Sequence, residues 1–126
     1  MDKYTDLIAQ LEAAETRDEY VAAFQAIAEA KVIPAASTYF EFHLYEGATW
    51  AKHHNRRCFG YLLLAAMEMV PEGWHSSFVT ESKDKKFWHW CLHDGSGMAE
   101  IEADGSHPCT ALAAACLRAK EQSDGG

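Results

Sequence analysis

Three side chains that commonly bind metals alternate along one short segment of the sequence. His89, Cys91 and His93 recur at every second position and would share one face of a β-strand. Imidazole and thiolate are zinc ligands, but neighbours on one strand face lie roughly 6.6 Å apart. All three therefore do not easily meet one metal, but an adjacent pair could bind one with help from a neighbouring element that carries His107 or Cys109. The spacing favours a purely structural strand, so we expect no cofactor and keep the three as the candidate metal ligands.

A second candidate for chemistry is Cys58, which follows two arginines. Arg56 and Arg57 would favour a thiolate at Cys58, because neighbouring cations stabilise the charged form. On a helix, His54 would share a face with Cys58 at i, i+4, which is half of a metal site or simply a polar helix end. The chain has neither a Gly-x-Ser-x-Gly elbow nor a glycine-rich phosphate loop before a helix. We therefore expect no enzyme, with a metal-binding or thiol-dependent enzyme as the alternative.

Acidic side chains alternate along the last expected strand. Glu100, Glu102 and Asp104 share one face, opposite Ile101 and Ala103. One interpretation is the solvent face of an amphipathic strand, where charges discourage edge-to-edge pairing. The other is an acidic strip that meets a basic surface on a partner protein.

Aromatic residues make up 12% of the chain, with four Trp, five Tyr and six Phe. Most of them are expected in the core. Tyr39, Tyr45 and Trp50 lie in the middle of the chain, and an exposed subset would anchor a partner, because Trp and Tyr dominate interface hot spots.

The charge balance limits the partners. The chain of 126 residues carries 11 Lys and Arg against 19 Asp and Glu, a net charge of −8. Direct nucleic-acid binding is not expected, because it normally requires a basic face. Tyr61–Val70, the longest apolar stretch, is too short to span a membrane and contains Glu68. The N-terminus lacks the layout of a signal peptide, so we expect a cytoplasmic protein with four reduced cysteines and no membrane contact.

Two helices are expected at the N-terminus. Apolar residues at helical spacing occupy residues 4–14. Thr16 and Glu19 form a capping box that begins a second helix, and Pro34 ends it. The pair would be antiparallel, because the connection is very short.

Residues 35–57 admit two interpretations. Phe40, Phe42 and Leu44 alternate with polar residues, which predicts a strand. Thr38 and Glu41 form a possible second capping box, which predicts a helix. The alternation and the aromatic content favour the strand.

The second half follows a helix, three strands and a helix. The expected elements are a helix at residues 59–69, strands at 75–81, 87–93 and 98–104 with a hairpin loop at 94–97, and a helix from Pro108. The fold class is therefore α/β of the α+β type. A three-stranded antiparallel sheet would be sandwiched by helices, with an N-terminal helical pair, in a single domain of residues 1–126. Residues 1–57 form its variable helical part and residues 58–122 its sandwich-like part.

Four segments occur in a recognisable order: a helix ending in Val-Pro-Glu-Gly-Trp, a Trp-rich strand, an acidic strand and an alanine-rich closing helix. They lie at Tyr61–Trp74, Lys86–Asp94, Ala99–Ala103 and His107–Leu117. This order resembles the phage ABA-sandwich domain family over about residues 60–120, and Asp6–Ala14 resembles the start of such phage proteins. The resemblance implies a small phage- or prophage-encoded accessory protein with a layered core and no catalytic residues.

The expected function combines the resemblance with the acidic charge. We expect a non-enzymatic phage protein that binds and inhibits a host protein in the infected bacterial cell. The specific version is an anti-CRISPR-like inhibitor that occupies the basic, nucleic-acid-binding groove of a CRISPR effector subunit. The three alternating carboxylates and the acidic N-terminal helices would carry the charge, with Tyr39, Tyr45 or Trp50 as anchors. A self-assembling phage accessory protein is a further alternative.

Overall fold

The structure, a computed structural model, describes residues 3–33, 38–95 and 100–125. Within these ranges the chain forms five helices and three strands. In chain order they are α1 (Lys3–Ala13), α2 (Arg17–Ala30), α3 (Thr38–Lys52), α4 (Arg57–Met67), β1 (His75–Glu81), β2 (Trp88–His93), β3 (Glu100–Gly105) and α5 (Pro108–Gly125).

The short connection between α1 and α2 is organised by the capping box that the sequence predicts. The Thr16 hydroxyl accepts a hydrogen bond from the Glu19 backbone N–H at 3.2 Å. The Glu19 carboxylate in turn accepts from the backbone N–H groups of Glu15 and Thr16. These bonds, with that from Glu15 the strongest, hold the pKa of Glu19 below its ordinary value. At the other end of α2, Lys31 adopts a left-handed conformation and its N–H bonds the Ala28 carbonyl.

The strand prediction for residues 39–45 is wrong, because this segment belongs to helix α3. Phe40 and Leu44 alternate with Phe42, but they also stand four residues apart, which is one helical turn. The helix places Phe40 and Leu44 inside, whereas Phe42 remains 53% exposed. The Phe40 ring lies 6.3 Å from that of Phe24 on α2. The capping-box alternative, which began the helix at Thr38, indicated the correct element.

The three strands form one antiparallel sheet in the order β1-β2-β3. On its inner face, Trp90 pairs with Ala103 and Leu92 pairs with Ile101. These four side chains pack against the hydrophobic core. The α+β class, the three-stranded antiparallel sheet and the N-terminal helical pair are therefore confirmed.

Helix α5 lies at the centre of the core. It packs against β2 and β3 on one side and against α1 and α4 on the other. Every residue from 109 to 117 is buried, so this part of the helix is surrounded by protein. Within the described ranges the helical layer covers the inner face of the sheet, and the layer expected on the second face is not found there.

The hairpin loop between β2 and β3 is only partly described. The expected hairpin loop at residues 94–97 is described at Asp94 and Gly95, where Gly95 has a positive φ of 80°. Residues 96 and 97 lie outside the described residues.

Across the described part of the chain, none of the helices combines the length and apolar character needed to span a bilayer.

Candidate partner-binding surfaces

The three alternating carboxylates lie together on the outer face of the sheet. Glu100, Glu102 and Asp104, hereafter the acidic row, project from β3, which is an edge strand. All three are exposed, because their neighbours Ile101 and Ala103 point to the core side. The structure therefore brings together the charged residues that the sequence singled out.

His89 on β2 bridges two members of the acidic row. Its Nδ1 lies 2.6 Å from Oδ1 of Asp104, the residue directly opposite on β3. Its Nε2 lies 3.4 Å from Oε1 of Glu102. The hydrogen bond to Asp104, and then the one to Glu102, raise the pKa of His89 above its ordinary value despite partial burial. A protonated His89 therefore compensates part of the negative charge of the row.

The His89 pairing predicts a pH-dependent contribution to stability. Because the pKa of His89 is raised on folding, its contribution is fully present below the unfolded value of about 6.5. It is lost as the pH rises through the folded pKa. We expect the His89→Gln variant to have a lower melting temperature than the wild type at about pH 5.5, with the difference vanishing by about pH 9.

The matched control for this prediction is His53→Gln, which replaces an exposed histidine between α3 and α4. Thermal unfolding of both variants is monitored by circular dichroism, and the change seen for His53→Gln gives the effect of replacing a histidine outside the acidic row. A difference for His89→Gln that grew with rising pH would contradict the assignment.

The candidate metal ligands on β2 have other partners. His89 is engaged by carboxylates, and Cys91 is fully buried, with its thiol 3.8 Å from the Leu92 carbonyl. Nδ1 of His93 accepts the Gly95 backbone N–H at 3.2 Å. Among the described residues, no group of three or more His, Cys, Asp or Glu side chains has an arrangement that could hold a metal ion.

The two residues considered as additional ligands lie away from this face. His107 stacks on Phe59 of α4, with ring centroids 4.3 Å apart. Cys109 is buried in the core at the start of α5. Neither residue therefore completes a set with His89, Cys91 and His93.

Burial disfavours the thiolate form of three of the four cysteines. Burial raises the pKa of Cys58, and it outweighs the opposing effect of a hydrogen bond from Arg17. Burial also raises the pKa of Cys109 to about 12 and raises that of Cys116. His54 lies in the turn before α4, so it does not share a helix face with Cys58. Burial thus opposes the thiolate that the arginines next to Cys58 were expected to favour.

The aromatic residues named as anchors differ in exposure. Tyr39 and Tyr45 are exposed on α3, as a partner-binding role requires. Trp50, by contrast, is half-buried, and the guanidinium carbon of Arg57 lies 4.9 Å from the centroid of its ring. Phe42 joins the two tyrosines at i, i+3 and i+6, and the strand interpretation missed it. Helical periodicity applied to this segment would have found Phe42.

Helices α3 and α4 together expose a larger apolar surface. We define the hairpin patch as Tyr39, Phe42 and Tyr45 of α3 with Leu64 and Met67 of α4, all of which are exposed. The two helices form a hairpin through residues 53–56 and pack closely on each other. The chain thus presents two chemically different surfaces, one acidic and one apolar.

The acidic row and the hairpin patch lie in different layers of the molecule. Helix α3 packs on α2 and α4, α4 packs on α5, and α5 packs on the sheet. Two helical layers therefore separate α3 from the strands that carry the acidic row. The carboxylates and the α3 tyrosines that the sequence named as partner-binding residues therefore lie on separate surfaces.

An open groove of about 590 Å³ borders the acidic row between β3 and the end of α5. Its lining includes Glu100, Glu102 and Glu121, with Arg118 as a cation. Arg118 is ion-paired with Glu12 of α1 at 2.7 Å. The groove is consequently acidic.

No family model, curated protein or solved structure matches this chain.

Proposed function

We propose that this chain is a non-enzymatic binding protein whose acidic row contacts a basic surface on a host protein. The observation that carries the proposal is the alignment of three exposed carboxylates on the sheet face that the helices leave open. Complementary charge of this kind accelerates association and discriminates among partners. The net charge of −8 gives the whole molecule the same sign.

The acidic groove supports the same proposal. A partner's Lys or Arg side chain that enters beside β3 would meet Glu100 and Glu102, and Arg118, the one cation among the described lining residues, is paired with Glu12. Arginine is suited to this contact because its guanidinium binds carboxylates through two hydrogen bonds. The expected partner residues are therefore arginines or lysines of a surface that otherwise binds nucleic acid.

The specific version of this proposal is a phage-encoded inhibitor of bacterial defence. The sequence resemblance to the phage ABA-sandwich domain family supports a phage origin, and the acidic face suits the nucleic-acid groove of a CRISPR effector subunit. In this version the chain competes with nucleic acid for the effector and contacts neither nucleic acid nor membrane itself.

A double charge reversal tests the acidic row. We expect Glu100→Lys/Glu102→Lys to reduce retention of the host partner from a bacterial lysate by roughly tenfold or more, as quantified by mass spectrometry. Asp104 is left in place so that its hydrogen bond with His89 is kept. Glu29→Lys/Glu72→Lys is the matched control, because it makes the same charge change at exposed positions outside the row.

The two variants separate the row from the net charge. Binding that persists in the control and is lost in the row variant supports the proposal. Equal binding of both variants, or equal loss in both, contradicts it. For the specific version, the purified chain should lower the nucleic-acid affinity of its captured partner, and the row variant should not.

A further inference from the structure

Exposed apolar side chains are concentrated on the α3–α4 hairpin. Seven large hydrophobic residues in the described part of the chain are exposed, and five of them form the hairpin patch. Their exposed fractions are 66% for Tyr39, 53% for Phe42, 70% for Tyr45, 42% for Leu64 and 56% for Met67. Isolated exposed apolar residues are ordinary, but such clustering marks interaction surfaces.

Ring contacts connect the two helices of the patch. The Phe42 ring lies 5.4 Å from that of His43, and the His43 ring lies 6.4 Å from that of Tyr61 on α4. Tyr61 in turn stands three residues before Leu64, on the adjacent turn of α4. The exposed ridges of α3 and α4 are therefore parts of one surface.

The aromatic side chains of the patch supply about half of the area that each copy contributes to a standard homodimer interface. With roughly 200 Å² for an aromatic side chain, the three α3 rings alone leave about 380 Å² in water. A standard interface takes about 800 Å² from each partner. Leu64 and Met67 add to this apolar area, and polar atoms around the patch would supply the rest of an interface between two copies.

The charges on α3 are arranged to complement a second copy. Glu41 lies in the first turn of α3 and Lys52 in the last, and both are exposed. They are eleven residues apart, which is three helical turns, so they lie on the same stripe as Tyr45. If two α3 helices pack antiparallel, Glu41 of each copy faces Lys52 of the other. A twofold axis then passes near Tyr45.

We propose that the hairpin patch is the interface of a homodimer in which two α3 helices pack antiparallel. The contact is isologous, since the same surface serves both copies. The aromatic side chains form its centre, and the pairs of Glu41 with Lys52 fix its orientation. This interface is independent of the acidic row and of the partner proposed above.

The centre of the interface is tested by Tyr45→Glu. We expect the wild type to show a dimer mass by light scattering at about 100 µM and to dissociate on dilution. Tyr45→Glu should weaken dimerisation at least tenfold. Phe87→Glu is the matched control, because Phe87 is also exposed but lies outside the hairpin, and it should leave the dimer intact. A wild type that remains monomeric at 500 µM, or a Tyr45→Glu dimer as strong as that of the control, overturns the proposal.

The antiparallel orientation is tested by exchanging charges. Glu41→Lys and Lys52→Glu should each weaken the homodimer several-fold, because each creates like-charged pairs across the interface. In a mixture of the two variants both pairs are attractive again. Native mass spectrometry, with one variant labelled uniformly with ¹⁵N so that the three dimers differ in mass, should therefore find the heterodimer in clear excess over both homodimers. A statistical mixture of the three species rejects the antiparallel arrangement.

Discussion

Replacing Gly105 with alanine is expected to destabilise the fold by about 3 kcal/mol, because there is no space for the added methyl group. A Cβ atom at this position would lie 2.5 Å from Oγ1 of Thr110 and 2.6 Å from the backbone nitrogen of Ala111. Thr110 is fully buried, and its hydroxyl donates to the His107 carbonyl at 3.0 Å. Relief of the clash requires β3 and α5 to separate, which disturbs the centre of the core.

Gly60→Ala is the matched control for this substitution. Gly60 is exposed within α4, and a Cβ atom there would meet nothing within 4 Å. The exchange should stabilise the protein by about 0.5–1 kcal/mol, because alanine loses less backbone entropy in a helix. Urea unfolding monitored by circular dichroism measures both variants. If the unfolding free energies of Gly105→Ala and Gly60→Ala changed in the same direction, the close approach of β3 to α5 would be contradicted.

Leu62→Ala is expected to cost about 3 kcal/mol of unfolding free energy, because it leaves a cavity between α3 and α4. Leu62 is fully buried, and its side chain packs against Gly47 of α3 so closely that a Cβ atom at Gly47 would lie 2.9 Å from Leu62 Cδ2. The cavity cannot be filled from α3 by a side chain, since glycine has none.

The control is Leu64→Ala, two residues along the same helix. Leu64 is exposed, so its truncation should cost less than about 1 kcal/mol. Both variants are unfolded in urea at a protein concentration low enough to dissociate any dimer. Equal losses of unfolding free energy in Leu62→Ala and Leu64→Ala would mean that Leu62 does not lie on the buried face of α4.

The sequence predicted α2 and β3 correctly, because in both segments the local residue pattern fits a single type of secondary structure. The capping box of Thr16 and Glu19 marked the start of α2, because its two hydrogen bonds depend only on residues three apart. The alternation of Glu100, Glu102 and Asp104 marked both a strand and its polar face. In these segments local sequence and tertiary packing favour the same structure.

The α3 segment was misassigned because its pattern fits both periods. Phe40 and Leu44 would lie on the same face in a strand and also in a helix. Only the side on which Phe42 lies distinguishes the two structures. Its exposure is set by contacts of Phe40 with Phe24 on another helix, which a local pattern does not contain. Helix α3 carries the candidate anchors Tyr39 and Tyr45 as exposed residues, and Phe42 joins them there.

The bridging position of His89 also depended on tertiary information. The sequence placed His89 on the same face as Cys91 and His93, and this suggested metal binding. The register of β2 against β3 sets His89 opposite Asp104, which gives the imidazole a carboxylate partner instead. Register arises from the pairing of two strands, so spacing within one strand does not reveal it.

Helix α5 is the last element in the sequence and the central one in space. The strands β2 and β3, together with α1 and α4, all pack on it. While the chain is being synthesised, these elements have no common surface to bury until α5 has emerged. Distant parts of the sequence therefore meet on α5, both in the core and at the surface, where Arg118 pairs with Glu12. Until α5 is in place, α1, α4 and the strands cannot bury the apolar faces that pack on it, whereas local pairs such as α1–α2 and α3–α4 do not need it.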